Sequence, residues 1–137
     1  IPPETKGLVY ELGSGWGTLA FPIARASPSC RVHAYENSLV PYLFSLLRKQ
    51  LFPLKNLHFY FENFFHISLN EADLIICYLY PGTMTMLKDK MENTLKKNCV
   101  VISHTFAVPT WKPHKVIEIN DLYKTKIYIY HFDKRHV

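Results

Sequence analysis

The chain has 137 residues, of which 48% are hydrophobic, and a formal net charge of +5. This length suits one domain with one core and leaves no room for a separate substrate domain. The cations are dispersed along two predicted helices, which disfavours nucleic-acid binding and leaves association with an anionic membrane surface open. The longest apolar stretches, residues 39–47 and 72–80, fall well short of the roughly 20 residues of a membrane-spanning helix.

The first predicted strand, Gly7 to Leu12, leads into three glycines at alternate positions, Gly13, Gly15 and Gly17, and a helix predicted over residues 15–26. Glycines at such a place indicate a tight turn that lets the backbone approach a ligand. Their spacing fits neither the G-x-G-x-x-G dinucleotide fingerprint nor a phosphate-binding P-loop. A glycine-rich turn without a ligand is the alternative interpretation.

The pattern E-x-G-x-G-x-G, which begins at Glu11, resembles motif I of the class I S-adenosylmethionine-dependent methyltransferases. This cofactor has no phosphates but carries an ammonium group, and an acid at the end of a strand can pair with it. The resemblance implies that Glu11 binds the ammonium, directly or through water. It also implies cofactor contacts from the loop residues Gly13, Ser14, Gly15, Gly17 and Thr18.

The second predicted strand, residues 31–35, is closed by Glu36 and Asn37. In Rossmann-like folds an acid at this point accepts hydrogen bonds from both ribose hydroxyls, so we expect Glu36, with Asn37 beside it, to bind the cofactor. The alternative is that Glu36, Asn37 and Ser38 cap the next helix. That helix is predicted over residues 40–51, with Leu43, Leu46 and Leu47 on one face.

The third predicted strand, Leu57 to Phe61, is followed by Asn63 and Phe64. In a parallel sheet of this type the segment after the strand lies at the cofactor edge. We expect Asn63 to hydrogen-bond the adenine edge and Phe64 to cover the adenine face. The alternative is that Phe64 is a core aromatic residue at a turn.

The second half of the chain predicts strands over residues 73–79 and 99–103, a helix over 83–95, and a terminal antiparallel pair over 115–119 and 126–132. The helix is expected to bury Met84, Leu87, Met91 and Leu95. The cysteines lie in apolar runs, which predicts reduced core residues and a cytoplasmic location: Cys30, Cys77 and Cys99. Neither the cysteines nor the histidines have zinc-ligand spacing, so we predict no metal.

The order of elements predicts an α/β fold, a mostly parallel twisted sheet with a C-terminal antiparallel hairpin. With motif I, this is the Rossmann-like class I methyltransferase fold, expected as a single domain over residues 1–137. The chain begins at Ile1, just before its first strand, so we interpret it as a fragment that lacks an N-terminal segment. Such a segment would be a second route to membrane association.

A narrower resemblance rests on residues 78–81 (YLYP), 103–106 (SHTF) and 111–113 (WKP). These segments are similar to small bacterial methyltransferases related to the lysine methyltransferases of the ATP synthase c subunit. The chain departs from the pattern where the group or the wider superfamily often has acids, at Trp16, Asn63 and Thr105. Weaker cofactor binding and a different acceptor are the alternatives that these departures raise.

The resemblance implies methyl transfer from S-adenosylmethionine to a protein lysine, with S-adenosylhomocysteine as product. It places the end of the fourth strand beside the donor methyl, so we expect Tyr78 to orient the acceptor and Tyr80 to form a wall. His104, at the end of the fifth strand, is expected to hold the acceptor or accept its proton. The alternative is that Tyr78, Tyr80 and His104 have only structural roles.

Three other functions stay open from the sequence alone: a small-molecule methyltransferase, an RNA methyltransferase and a non-catalytic S-adenosylmethionine-binding module. Methyltransferases that act on base amino groups carry [DN]-P-P-[YF] after the fourth strand. Tyr78 replaces the polar first residue of that motif in this chain, which argues against base methylation.

Overall fold

The computed structural model describes residues 6–133. The expectation of a missing N-terminal segment rests on Ile1, which lies outside the described residues. The chain divides into two compact units, Ile1–Ile67 and Ser68–Val137, hereafter the first and second unit. Strands and helices alternate in the first unit, whereas the second unit has one helix and ends in three successive strands.

The first unit contains the parallel strands β1 (Gly7–Leu12), β2 (Cys30–Glu36) and β3 (Leu57–Phe61), with β2 paired to both neighbours. β2 runs one residue further at each end than predicted, so Glu36 is its last residue. The register pairs Leu12 with Tyr35 and Glu36 with Phe61. The carboxyl ends of the three strands therefore meet at one edge, as the motif order predicts.

Helix α1 (Ala20–Ala26) begins later than the predicted start at Gly15. Gly15 and Gly17 have φ angles of +54° and +81°, which lie in the left-handed region and cannot continue a right-handed helix. The segment between β1 and α1 is instead a series of turns, in which the Gly17 N–H donates to the Ser14 carbonyl at 3.1 Å. Pro22 lies in the first turn of α1.

Helix α2 (Leu39–Leu51) has the predicted periodicity, but its apolar face is exposed. Leu43 and Leu47 are 51% and 54% exposed, and Ser45 is the one residue of the helix that is buried. After β3, the short 3-10 turn Phe64–His66 closes the first unit. The helix therefore packs against the unit through small and polar residues. The periodicity of its leucines did not predict this orientation.

The second unit contains the strands β4 (Leu74–Cys77), β5 (Val100–His104), β6 (Lys115–Glu118) and β7 (Lys126–His131). β4 and β5 are parallel, whereas β7 is antiparallel to both β5 and β6. This mixed sheet confirms the predicted antiparallel C-terminal pair, and the two units together confirm the mostly parallel α/β prediction.

Helix α3 (Pro81–Thr94) follows β4, which ends at Cys77 rather than at the predicted Leu79. Residues 78–80 therefore lie between the end of β4 and the start of α3. Pro81 is the first residue of the helix, a position that favours proline because no N–H group is needed there. The predicted buried residues are all at most 3% exposed: Met84, Leu87, Met91 and Leu95.

The three cysteines are buried free thiols in the core, as predicted. Burial raises the pKa of both Cys77 and Cys99 to about 12, so neither thiol ionises near neutral pH. Over residues 6–133, no cluster of His, Cys, Asp or Glu side chains has a geometry suited to a metal ion. Among the helices described, none combines the length and apolar character needed to cross a bilayer.

Candidate functional site

The glycine loop between β1 and α1 is held against the end of β2. The N–H groups of Gly13 and Ser14 both donate to the Tyr35 carbonyl at 2.9 Å. A Cβ atom on Gly15 would meet nothing within 4 Å, whereas one on Gly17 would lie 2.9 Å from Phe21 Cε2. Gly17 is therefore required by packing, and Gly15 borders open space that a ligand can occupy.

Glu11, the penultimate residue of β1, is a buried acid that forms no salt bridge within residues 6–133. It is 4% exposed, and its Oε2 has no hydrogen-bond partner among the described residues; the same holds for the buried Ser14 Oγ. Burial, and secondly the nearby charge of Glu36, raise the pKa of Glu11 to about 8. A buried acid without a partner is costly, and a cation bound beside Glu11 would relieve that cost.

Glu36 lies at the end of β2 and is tied to the glycine loop. Its carboxylate accepts hydrogen bonds from the N–H groups of Asn37 and Gly15, which lower its pKa, but burial has the larger effect and raises it. Ser38 is the N-cap residue of α2 and makes no side-chain cap bond. Glu36 thus contacts the glycine loop. Asn37, which follows Glu36, and Thr18, which follows Gly17, are both exposed.

Asn63 and Phe64 form the turn that follows β3. The Asn63 Oδ1 accepts a hydrogen bond from the Phe65 N–H at 3.0 Å, which leaves the side-chain amide NH₂ as a donor. Phe64 is 8% exposed, and its ring centroid lies 4.6 Å from that of Phe65. Phe64 is therefore a buried aromatic residue of the turn, and its contact with adenine stays a prediction.

The three acceptor-side candidates of the second unit belong to one aromatic cluster. The ring centroids of Tyr78 and His104 are 4.5 Å apart, and Phe106 lies 6.3 Å from Tyr78 and 6.1 Å from Tyr80. Tyr78 and Tyr80 are 54% and 77% exposed. The structure thus brings the predicted residues together and adds Phe106. The signal for Phe106 was its place two residues after His104, in the SHTF segment.

Thr105, which lies between His104 and Phe106 of this cluster, has a strained backbone conformation. Its φ is +72°, an angle that a β-branched residue adopts only at a cost of about 1 to 2 kcal/mol. Two contacts offset that cost: its N–H donates to the Lys126 carbonyl at 2.8 Å, and its Oγ1 lies 2.7 Å from His104 Nδ1. Strain of this kind concentrates at functional sites, and here the strained residue contacts His104, whose ring lies beside Tyr78.

Comparison with known proteins identifies the family. The profile of the ANTKMT methyltransferase domain matches residues 11–115, well over half of the chain. A protein-lysine N-methyltransferase of Saccharolobus islandicus is 37% identical over 59 residues, which are 43% of this chain and 37% of that protein. The adenine nucleotide translocase lysine N-methyltransferase of Mus musculus is 26% identical over 115 residues, 81% of this chain and 48% of that protein. The chain thus spans less than half the length of these relatives.

Solved structures share the fold. An RNA methyltransferase from Salinibacter ruber in complex with S-adenosyl-L-homocysteine superposes with a TM-score of 0.81 at 23% identity. The alignment covers 91% of this chain and 80% of the Salinibacter ruber chain. A point mutant of MtNAS in complex with S-adenosylmethionine superposes with a TM-score of 0.76 at 10% identity. The alignment covers 96% of this chain and 57% of the MtNAS chain. These neighbours confirm the Rossmann-like methyltransferase fold, and the match over residues 11–115 shows that the chain belongs to the ANTKMT methyltransferase domain family.

Proposed function

We propose that the chain is an S-adenosylmethionine-dependent methyltransferase whose cofactor binds at the glycine loop of the first unit. The observation that carries the proposal is Glu11, a buried carboxylate with an unpartnered oxygen at the edge of that loop. The cofactor carries an ammonium group, which is the partner that such a carboxylate needs. The buried Ser14 Oγ and the open space at Gly15 fit the same ligand.

Each part of the cofactor has a proposed contact in the first unit. Glu11 binds the ammonium, and Ser14 with the glycine backbone lines the amino-acid portion. Glu36 accepts hydrogen bonds from the ribose hydroxyls through the carboxylate positions that Gly15 and Asn37 do not use. The free NH₂ of Asn63 donates to the adenine edge, and Phe64 borders the ring. Gly13, Gly17 and Thr18 complete the loop.

We propose protein lysine as the acceptor. The names of the two curated relatives support this choice, since both are lysine N-methyltransferases. S-adenosylmethionine, when bound, supplies a methyl group on a positively charged sulfur. The nitrogen of a lysine must be neutral to attack that methyl, so the protein has to receive the ammonium, let it lose one proton and hold the amine in line.

The aromatic cluster of the second unit suits this task. Tyr78, Tyr80 and Phe106 offer ring faces that attract an alkylammonium, and two of these rings are largely exposed. His104 supplies the imidazole of the cluster, and we propose that it accepts the proton or holds the amine. Thr105 Oγ1 beside His104 Nδ1 fixes the ring, so Nε2 is the nitrogen that can face an acceptor.

We also propose that the whole chain acts as one methyltransferase domain, because the Salinibacter ruber structure aligns with 91% of it. Three reduced, buried cysteines favour a reducing compartment such as the cytoplasm.

Calorimetric titration with S-adenosylmethionine tests the cofactor site. Gly15→Arg should abolish binding, because its side chain would fill the open space beside the loop. Gly82→Arg is the matched control, since a Cβ at Gly82 also meets nothing within 4 Å but lies outside the loop. We expect wild-type affinity in the control. Unchanged affinity in a folded Gly15→Arg variant would reject the assignment of the site.

A further inference from the structure

Helix α2 presents a broad apolar face to the solvent. Seven large apolar side chains of the helix are each at least 37% exposed: Leu39, Val40, Leu43, Phe44, Leu46, Leu47 and Leu51. We call these residues the α2 face. At 100° per residue they fill one continuous side of the helix, with Gln50 as the one polar residue among them. An exposed apolar patch of this kind marks an interaction surface rather than an ordinary solvated helix.

The opposite side of α2 explains why this face points outward. Ser45 is fully buried there, and its Oγ donates to the Gly15 carbonyl at 3.4 Å. The Arg48 guanidinium lies 4.3 Å from the centre of the Phe21 ring. A small polar residue and a cation over an aromatic ring therefore attach α2 to the unit, and the leucines are not used for that purpose.

Aromatic residues extend the α2 face at both ends. Trp16, at the tip of the glycine loop, is half exposed and contacts Phe44 edge-to-face with ring centroids 5.3 Å apart. Phe52, directly after the helix, is 61% exposed. Aromatic rings beside a leucine-rich helix face are typical of helices that lie in the boundary between lipid headgroups and acyl chains.

Helix α2 and the residues that lead from it to β3 carry cations and no acid. No Asp or Glu occurs between Glu36 and Glu62, whereas Arg48, Lys49 and Lys55 fall in that interval. Lys49 lies on one flank of the apolar face and Lys55 follows the helix, where long cationic side chains can reach an interface while the apolar residues insert. The Arg48 guanidinium packs on Phe21 and is not needed for this contact. The face is therefore complementary to a surface that is apolar underneath and negative at its rim.

We propose that the α2 face docks on the surface of an anionic phospholipid bilayer, with the leucines inserted and the flanking cations among the headgroups. A second copy of the chain is a poorer occupant, because a symmetric contact through α2 would bring Lys49 close to its own copy, and the helix carries no acid to pair with it. A fluid bilayer also requires no shape-matched groove to receive a single helix. The proposal concerns where the protein works and is independent of methyl transfer.

Flotation with vesicles tests this proposal on the chain itself. We expect binding to phosphatidylcholine vesicles that contain phosphatidylglycerol, weaker binding to pure phosphatidylcholine, and loss of the difference at high salt. Leu47→Glu should reduce binding at least tenfold, because it places a charge in the apolar layer. The matched control is Leu122→Glu, at a leucine that is 89% exposed in the second unit, and it should bind like wild type.

A second variant keeps the test decisive if Leu47→Glu unfolds. Lys55→Gln removes one cation near the face and should weaken binding to the anionic vesicles by about fivefold. Absence of binding to anionic vesicles, or equal losses in Leu47→Glu and Leu122→Glu, would overturn the proposal. A dimer in sedimentation that Leu47→Glu dissociates, without vesicle binding, would assign the face to a second copy, and binding to an acidic protein without vesicle binding would assign it to a protein partner.

Discussion

Glu11 gives the cofactor site a pH dependence of defined sign. Its pKa is raised to about 8, so below that pH the carboxyl is protonated and must lose a proton before it can pair with an ammonium. We expect the affinity for S-adenosylmethionine to rise by up to about tenfold per pH unit as pH approaches that value. Glu11→Gln should bind weakly with little pH dependence between pH 6 and about 8, as titrations across this range can show. A steep rise retained in Glu11→Gln would contradict the role.

The same carboxyl should make the ligand-free fold less stable as pH rises. Its pKa is 4.5 in the reference state and about 8 in the fold, so between these values the native chain retains a proton that the unfolded chain has lost. The free energy of unfolding should therefore decrease with pH across this window. Thermal melts of Glu11→Gln should show a shallower decrease than wild type, and identical slopes would argue against a buried Glu11.

Glu36 should contribute to affinity rather than to stability. Loss of a charge-assisted hydrogen-bonded pair costs about 1.5 to 3 kcal/mol, which corresponds to roughly ten- to more than a hundredfold in affinity. Glu36→Gln should thus weaken cofactor binding by at least several fold while the melting temperature of the ligand-free chain holds. Earlier melting with unchanged affinity would instead assign Glu36 to holding the glycine loop through Gly15.

At the scale of elements, two glycines of one loop should respond differently to the same change. Gly15→Ala adds a Cβ in open space, so its cost is the positive φ alone, about 1 kcal/mol. Gly17→Ala also drives a Cβ to 2.9 Å from Phe21, which should bring the loss to about 2 to 4 kcal/mol. Urea unfolding of both variants measures the difference, and equal losses would contradict the packing role of Gly17.

The strands could be predicted from the sequence better than the helices. β1 and β3 have the predicted bounds because a polar residue or a glycine follows each run of apolar residues. Gly13 follows β1, and Glu62 follows β3. The start of α1 was predicted too early, because Gly15 and Gly17 have left-handed φ angles and a turn bond from Gly17 to Ser14 stands where the helix was expected. The outward face of α2 depends on Ser45, a contact across thirty positions of the chain that no local pattern contains.

At the scale of the whole molecule, binding and turnover should separate. Tyr78→Phe and His104→Ala should reduce turnover by at least tenfold and leave cofactor affinity unchanged, because these residues are proposed to act on the acceptor. Turnover of the wild type should rise with pH as the acceptor amine loses its proton. Parallel loss of turnover and of cofactor affinity in His104→Ala would show that the residue supports the cofactor site instead.

The candidate site could be predicted in its polar part and only partly in its aromatic part. The resemblance to motif I predicts Glu11 as a cofactor residue, and the position of Glu36 at the end of the second strand predicts its contact with the ribose. The Glu11 Oε2, which has no partner within the described part of the chain, and the raised pKa of Glu11 became visible only in the fold, since burial is a tertiary property. Phe106 and the strain at Thr105 depend likewise on the bond from Thr105 to Lys126, in a strand far along the chain.

The central claim, methyl transfer to a protein lysine, is tested most directly by mass spectrometry. Soluble and membrane proteins, RNA and small metabolites are incubated with the chain and an isotopically labelled S-adenosylmethionine, with Gly15→Arg as the inactive control. The account predicts label on lysine side chains that the control does not produce. Label on RNA or a metabolite with none on lysine would contradict the acceptor, and cofactor binding without label anywhere would indicate a binding module rather than an enzyme.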